Sequence, residues 1–258
     1  MSSVLFEIKN NVAVITLNRP DKFNSFNREM ALQLQKVLDD CAADENVRCI
    51  LLTGAGKAFC AGQDIAELTG DNPIGIEIIL VKHFNPIILK IRNLQKPVVC
   101  AVNGVAAGAG ANIALCCDVV IASSAASFIQ AFSKIGLIPD SGGTFFLPRL
   151  IGFQKASALM MTGDKVTATE AEKMGMVYKV LDETIFTEES FNQAVQLAQM
   201  PTLGLAFTKN ALNVSMQNSL SEQLAQEDRL QRKAAATSDY SEGIAAFTEK
   251  RKAFFTGR

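Results

Sequence analysis

Three short runs limit the fold of this chain more than any other feature: Arg48-Cys49-Ile50-Leu51-Leu52-Thr53, Pro97-Val98-Val99-Cys100-Ala101-Val102 and Asp118-Val119-Val120-Ile121-Ala122. Their apolar positions are consecutive rather than alternating, so each reads as a strand buried in a core. Helical spacing fills the gaps. Asn27 stands as N-cap before a stretch that places Met30, Leu34, Val37, Leu38 and Cys41 on one face. Val4 to Ile8 and Val12 to Leu17, split by Asn10-Asn11, predict a β-hairpin. Short strands alternating with helices, often two strands to a helix, predict a layered α/β architecture.

Beyond Leu150 the balance shifts to helix. Thr167 with Glu170, and Ser219 with Glu222, have capping-box spacing, and Gly175 sits at a helix stop. The second box opens a helix through Lys233, and Tyr240 to Phe255 puts Ile244, Phe247 and Arg251 at helical spacing. A boundary follows: a core over 1–195 and a helical region over 196–258. The apolar stripe of that region needs its own core or a neighbouring subunit to pack on.

Composition removes several function classes. The 258 residues carry a net charge of −1 with no basic block, which disfavours nucleic acid as a partner. No stretch approaches the roughly 18 apolar residues of a membrane span, and Met1 to Lys9 does not read as a signal peptide. The six cysteines form no CxxC pair, so no metal is expected, and reduced thiols in a cytoplasmic protein are the natural reading. The single histidine, His83, falls in a helical stretch without a nucleophile motif and reads as a partly buried helix residue. Chemistry must then rest on carboxylates and backbone groups.

Three segments bring such groups forward. In Phe59-Cys60-Ala61-Gly62-Gln63-Asp64-Ile65 the glycine frees the backbone, so the Gln63 N–H can face a pocket. Asp64 there either caps the turn to Leu68 or serves a ligand. In Asn103-Gly104-Val105-Ala106-Ala107-Gly108-Ala109-Gly110 a strand passes into a helix start built of tiny side chains. That suits either close helix–sheet packing or first-turn N–H groups aimed at a negative oxygen. Gly136-Leu137-Ile138-Pro139-Asp140-Ser141-Gly142-Gly143-Thr144 supplies one acid, which either caps its own turn or acts as a base. Two donors facing one acid suit the formation and collapse of an enolate.

These segments, with Asn18-Arg19-Pro20 and Leu147-Pro148-Arg149-Leu150-Ile151-Gly152, resemble the signature of the crotonase (enoyl-CoA hydratase/isomerase) superfamily along nearly the whole chain. The resemblance implies a superhelix of ββα units with a helical C-terminal trimerisation region. It implies acyl-coenzyme A thioesters as ligands, with coenzyme A part of the substrate and no separate cofactor. It implies a homotrimer or a dimer of trimers. The family's oxyanion donors fall on the backbone N–H groups of Gln63 and Ala109. Its coenzyme A and substrate contacts fall around Lys22, Phe23, Ala61, Asp64, Ile65, Gly108, Phe132 and Pro139.

The acids decide the reaction. Hydratase members use two glutamates, and the matching positions here hold Asn112 and Phe132, so hydration is disfavoured. Asp140 matches members with a single acid, the enoyl-CoA isomerases and the aryl-CoA dehalogenases. The dehalogenases carry a Trp-His pair where this chain has Phe132-Ser133, and the chain has no tryptophan. Residues 131–144, Ala109-Gly110-Ala111 and Ser238-Asp239-Tyr240-Ser241-Glu242-Gly243 are most similar to members that isomerise a ring epoxide on an acyl-CoA. A general double-bond isomerase or hydratase of fatty-acid oxidation, a non-catalytic binding module, and a hydrolase with Asp140 as nucleophile stay open. Phe132, Ile138 and Pro139 are expected to desolvate Asp140. The loop Thr69–Gly75 and the helix Ile76–Ile91 are expected to shape the acyl pocket.

Overall fold

The computed structural model describes residues 2–69 and 73–258; residues 70–72 of the expected pocket loop lie outside the described residues. The hairpin forms as expected. Strand β1 (Val4–Lys9) pairs antiparallel with β2 (Val12–Leu17), and Asn10 and Asn11 both take positive φ, 52° and 61°. Two positive φ values make the tight turn whose twist matches that of its strands. Asn27 caps α1 (Arg28–Ala43) by accepting from the Met30 N–H at 3.0 Å.

The three apolar runs become β3 (Cys49–Gly54), β5 (Val98–Val102) and β7 (Val119–Ser123), joined by β10 (Lys179–Leu181). The sheet order is β1-β2-β3-β5-β7-β10, parallel from β2 onward. Both faces are covered, as strands without polar alternation require. Ile50 and Leu52 enter a core shared with α1, whereas Cys49 and Leu51 face a second apolar cluster with Phe186, Ala194 and Ala198.

A second sheet, in the order β4 (Ala58–Cys60), β6 (Val105–Ala107), β8 (Ser127–Ile129) and β9 (Lys165–Thr167), corrects the expected loops. The glycine-bracketed segments from Phe59 and from Asn103 read as turns, but Ala58–Cys60 and Val105–Ala107 are each a three-residue strand. Three residues are too few to show a period. Strands β3, β5 and β7 thus each run into a short strand and on to a helix, the expected ββα unit. The helices are α2 (Ala66–Thr69), α3 (76–93), α4 (Ala109–Leu115), α5 (Gly143–Ile151), α6 (Phe153–Thr162) and α7 (Ala168–Lys173).

Helix α3 is wound irregularly. Residues Ile79–Phe84 form a π segment just before Pro86. A proline has no N–H to give the carbonyl four residues back. The Gln35 side chain on α1 instead donates to the Lys82 and His83 carbonyls, at 2.8 and 3.0 Å. His83 lies deeper than expected, 2% exposed, because the widened turn carries it into the core. Burial lowers its pKa.

The remaining helices are α8 (Glu183–Ala198), α9 (Thr202–Ser215), α10 (Leu220–Ala235) and α11 (Ser238–Glu249). Both capping boxes form. The expected boundary at 195/196 falls inside α8, which packs on the first sheet; the break in helix comes at Gln199–Pro201. The last helix is shorter than its spacing suggested. It stops at Lys250, in the left-handed conformation, and the tail folds back so that Asp239 accepts from the Thr256 and Gly257 N–H groups at 2.7 and 2.8 Å. Arg251 therefore lies beyond the helix, paired with Glu242 and Glu249.

Candidate active site

The two short parallel strands β4 and β6 end side by side, and each runs directly into a loop carrying a free N–H. The Gln63 segment lies against residue Phe26. The Phe26 N–H donates to the Gly62 carbonyl at 2.7 Å, and the Asp64 N–H to the Phe26 carbonyl at 2.8 Å. Residues 62 and 64 thus satisfy that edge, and the N–H of Gln63 between them has no hydrogen-bond partner among the described residues. The Ala109 N–H is the first of α4 and likewise has none among the described residues, as the first turn of any helix leaves it.

Close packing brings the two loops together. A methyl group on Gly62 would stand 3.0 Å from the Ala107 carbonyl oxygen and 3.4 Å from the Ala109 nitrogen. A methyl on Gly110 would meet the Cys60 carbonyl oxygen at 2.4 Å and its sulfur at 2.7 Å. Helix α4 can seat against β4 only because residue 110 has no side chain.

Gln63, Ala109 and Asp140 line one cavity of about 200 Å³, with Ala61, Ile65, Gly108 and Phe132. Asp140 is its only lining carboxylate among the described residues. Burial raises the pKa of that carboxyl, opposed by the Ser141 hydroxyl, which donates to Oδ1 at 2.8 Å. Desolvation makes the carboxylate a stronger base. The apolar wall differs from expectation. Phe132 does line the cavity, but Ile138 is 80% exposed and Pro139 is not among the lining residues. Ile135 and Leu137 take their place, with Ile76 from the start of α3 and Ile79 and Phe84 from its irregular turn. The helix expected over Ile76–Ile91 thus does shape the pocket; what had no residue signature is its π turn, although the Asn85-Pro86 pair marks where winding must change.

Other expected residues lie outside the cavity. Asp64 caps the turn, accepting from the Ala66 N–H at 3.1 Å, and pairs with Arg19 at 2.8 Å. Its carboxylate is thus committed to the protein. Lys22 and Phe23 are exposed on the neighbouring turn, where the Phe23 carbonyl accepts from the Ala61 N–H at 2.9 Å. They border the loop that enters the cavity. Asn112 and Phe132, at the positions of the hydratase glutamates, offer no carboxylate. Asn112 is buried, with its side chain bonded to the Asp140 carbonyl and to Gln130.

Comparison with known proteins agrees with this geometry. A sequence profile described as "Enoyl-CoA hydratase/isomerase" matches residues 7–258. The chain is 44% identical to the "1,2-epoxyphenylacetyl-CoA isomerase" of Escherichia coli K12, covering all of both chains. It is 40% identical to a "probable enoyl-CoA hydratase" of Rhodobacter capsulatus, over 99% of this chain and 98% of that one. The crystal structure of a putative enoyl-CoA hydratase/isomerase from Mycobacterium abscessus superposes with a TM-score of 0.93 at 35% identity, covering 99% of this chain and all of the other.

Proposed function

The chain belongs to the enoyl-CoA hydratase/isomerase family, and on that basis we propose that it isomerises acyl-CoA thioesters with Asp140 as its single proton carrier. The observation that carries this reading is the placement of one desolvated carboxylate in the cavity lined by two unpartnered backbone donors. The thioester carbonyl oxygen accepts from the Gln63 and Ala109 N–H groups. Their positive ends stabilise negative charge on that oxygen, which acidifies the adjacent carbon. The Asp140 carboxylate takes a proton from that carbon, leaving an enolate. The carboxylic acid so formed returns the proton two carbons further along, which moves the double bond. The cycle balances in protons, so one carboxylate suffices and no metal or redox cofactor is called for. Coenzyme A enters as part of the substrate.

The finer assignment is isomerisation of a ring 1,2-epoxide on phenylacetyl-CoA to the oxepin, with double-bond shift in enoyl-CoAs as a companion activity. It is supported by the 44% identical relative and by an apolar wall of Phe132, Ile135, Leu137, Ile76, Ile79 and Phe84, which suits a ring. In that reaction Asp140 relays a proton as the epoxide opens. Exposed apolar residues on the terminal helices, among them Leu212, Met216, Leu220 and Phe247, support a homotrimer or dimer of trimers. Six free, buried thiols fit a reducing compartment such as the cytoplasm. Among the described residues no helix is long and apolar enough to cross a membrane.

The test uses purified protein with 3-enoyl-CoAs, the phenylacetyl-CoA epoxide and crotonyl-CoA, followed by ultraviolet absorbance and mass. Isomerisation is expected from the native chain, negligible hydration of crotonyl-CoA, and loss of isomerisation in Asp140→Asn with acyl-CoA binding retained. Full turnover by Asp140→Asn would end the base assignment.

A further inference from the structure

We infer that Asn112 is a positioning residue for Asp140: its side-chain amide, hydrogen-bonded also to Gln130, fixes the acid's backbone to the helix that carries the Ala109 donor. The inference rests on reading Asp140 as the base. Asn112 lies one turn into α4, three residues after Ala109, and is fully buried. Its Nδ2 donates to the Asp140 carbonyl oxygen at 2.8 Å, and its Oδ1 accepts from Gln130 Nε2 at 2.8 Å. Gln130 is itself buried, 5% exposed. The Asp140 carbonyl can only accept, so it takes the Nδ2 end of the Asn112 amide and leaves Oδ1 to accept from Gln130.

The Asn112 amide adds to a bond within the turn itself, where the Asp140 carbonyl accepts from the Gly143 N–H at 2.8 Å. Ser141 and Gly142 both take left-handed conformations, φ 51° and 75°. A non-glycine residue holds that conformation only where its surroundings impose it. Space is reserved for the amide, since a methyl group on Gly143 would stand 2.4 Å from Asn112 Nδ2. Gln130 continues the same path, because the preceding Ile129 carbonyl accepts from the Gly108 N–H at 2.9 Å. One chain of hydrogen bonds therefore joins the donor loop, the cavity wall and the acid. Only an amide serves at 112. An aspartate would set an acceptor against the Asp140 carbonyl, and an apolar isostere would leave that bond unmade.

The experiment compares Asn112→Leu, Gln130→Met and Asp140→Asn in the full chain with a 3-enoyl-CoA as substrate. For Asn112→Leu, kcat is expected to fall by about 100-fold, the cost typical of a 1 Å misplacement, with KM within about threefold. The acid limb of its kcat/KM profile should move to lower pH, because an untethered carboxylate gains water. Gln130→Met should change the same two readouts in the same direction, more weakly. Unchanged kcat in Asn112→Leu overturns the inference, and so does a loss of kcat with the acid limb unmoved, which marks a merely structural role. If Asn112→Leu does not fold, Gln130→Met decides by the same criteria. Turnover by Asp140→Asn removes the underlying base assignment. An inactive Asp140→Asn beside a fully active Asn112→Leu removes the positioning role alone.

Discussion

Gly110→Ala should separate the two proposed oxyanion donors without touching either. The added methyl would stand 2.4 Å from the Cys60 carbonyl oxygen and 2.7 Å from its sulfur, against about 3.4 Å for ordinary contact. Both obstacles belong to β4, part of it rigid backbone, so α4 must back away by about 1 Å. The Ala109 N–H, one residue before the substitution, moves with it. Displacement of that size or loss of one oxyanion donor typically costs about 100-fold in rate, near 3 kcal/mol. Overpacking should also cost about 1–3 kcal/mol of stability, a fall of about 2–10 °C in Tm for a chain of this size. The assay is steady-state isomerisation of a 3-enoyl-CoA beside thermal unfolding, with Gly204→Ala as control. In that helix the added methyl meets only Pro201 Cβ at 3.5 Å, so activity should be unchanged and stability equal or slightly higher. If Gly110→Ala keeps kcat within about threefold, α4 does not hold an oxyanion donor.

Ser141→Gly removes the hydroxyl that favours charged Asp140 while suiting the left-handed backbone there, so the acid limb of kcat/KM should move to higher pH. A limb that moves down or stays would show that the hydroxyl does not act on the base. Linkage gives the matching stability test. A carboxyl whose folded pKa is raised weakens the folded state once ionised, above that pKa, and not below its ordinary value of about 3.9. Asp140→Asn should therefore melt higher than the native chain at pH 7, and the gap should close as the pH falls through the folded pKa toward 4. Asp118→Ala strips the partner from Lys209, 6% exposed and paired at 2.8 Å, and from Arg92 at 3.0 Å. Leaving those cations facing each other should cost about 3–5 kcal/mol in denaturant unfolding; a loss below about 1 kcal/mol would show that the network is not structural.

Local chemistry made much of this protein legible in its residues. The hairpin turned on Asn10-Asn11, α1 began at Asn27, and both capping boxes formed, because each depends on atoms a few residues apart. The long parallel strands were legible because burial on both faces leaves no polar alternation to hide them. So was the close approach of the Gln63 and Ala109 loops, since glycine beside a small residue marks a close approach of backbone. The second sheet was not legible: a three-residue strand is made by its neighbours, and Val105–Ala107 is a strand because β4 and β8 flank it. The cap made by Asp64 was one of its two readings, but not its pairing with Arg19, which folding brings to it across 45 positions.

Asp140 shows the division most plainly. The chain by itself left Asp140 as the acid at the family's acid positions, because Asn112 and Phe132 hold the other places. Only the tertiary structure decided how that acid is dressed. Ile138, its apolar neighbour in the chain, points to water, while Leu137, Ile135 and the distant Ile79 and Phe84 wall the cavity. Desolvation is a property of what surrounds an atom in space, and sequence order fixes that only within a turn or two. Asn112 likewise changed meaning on folding, from a missing carboxylate to an amide bonded to the peptide of the one that remains.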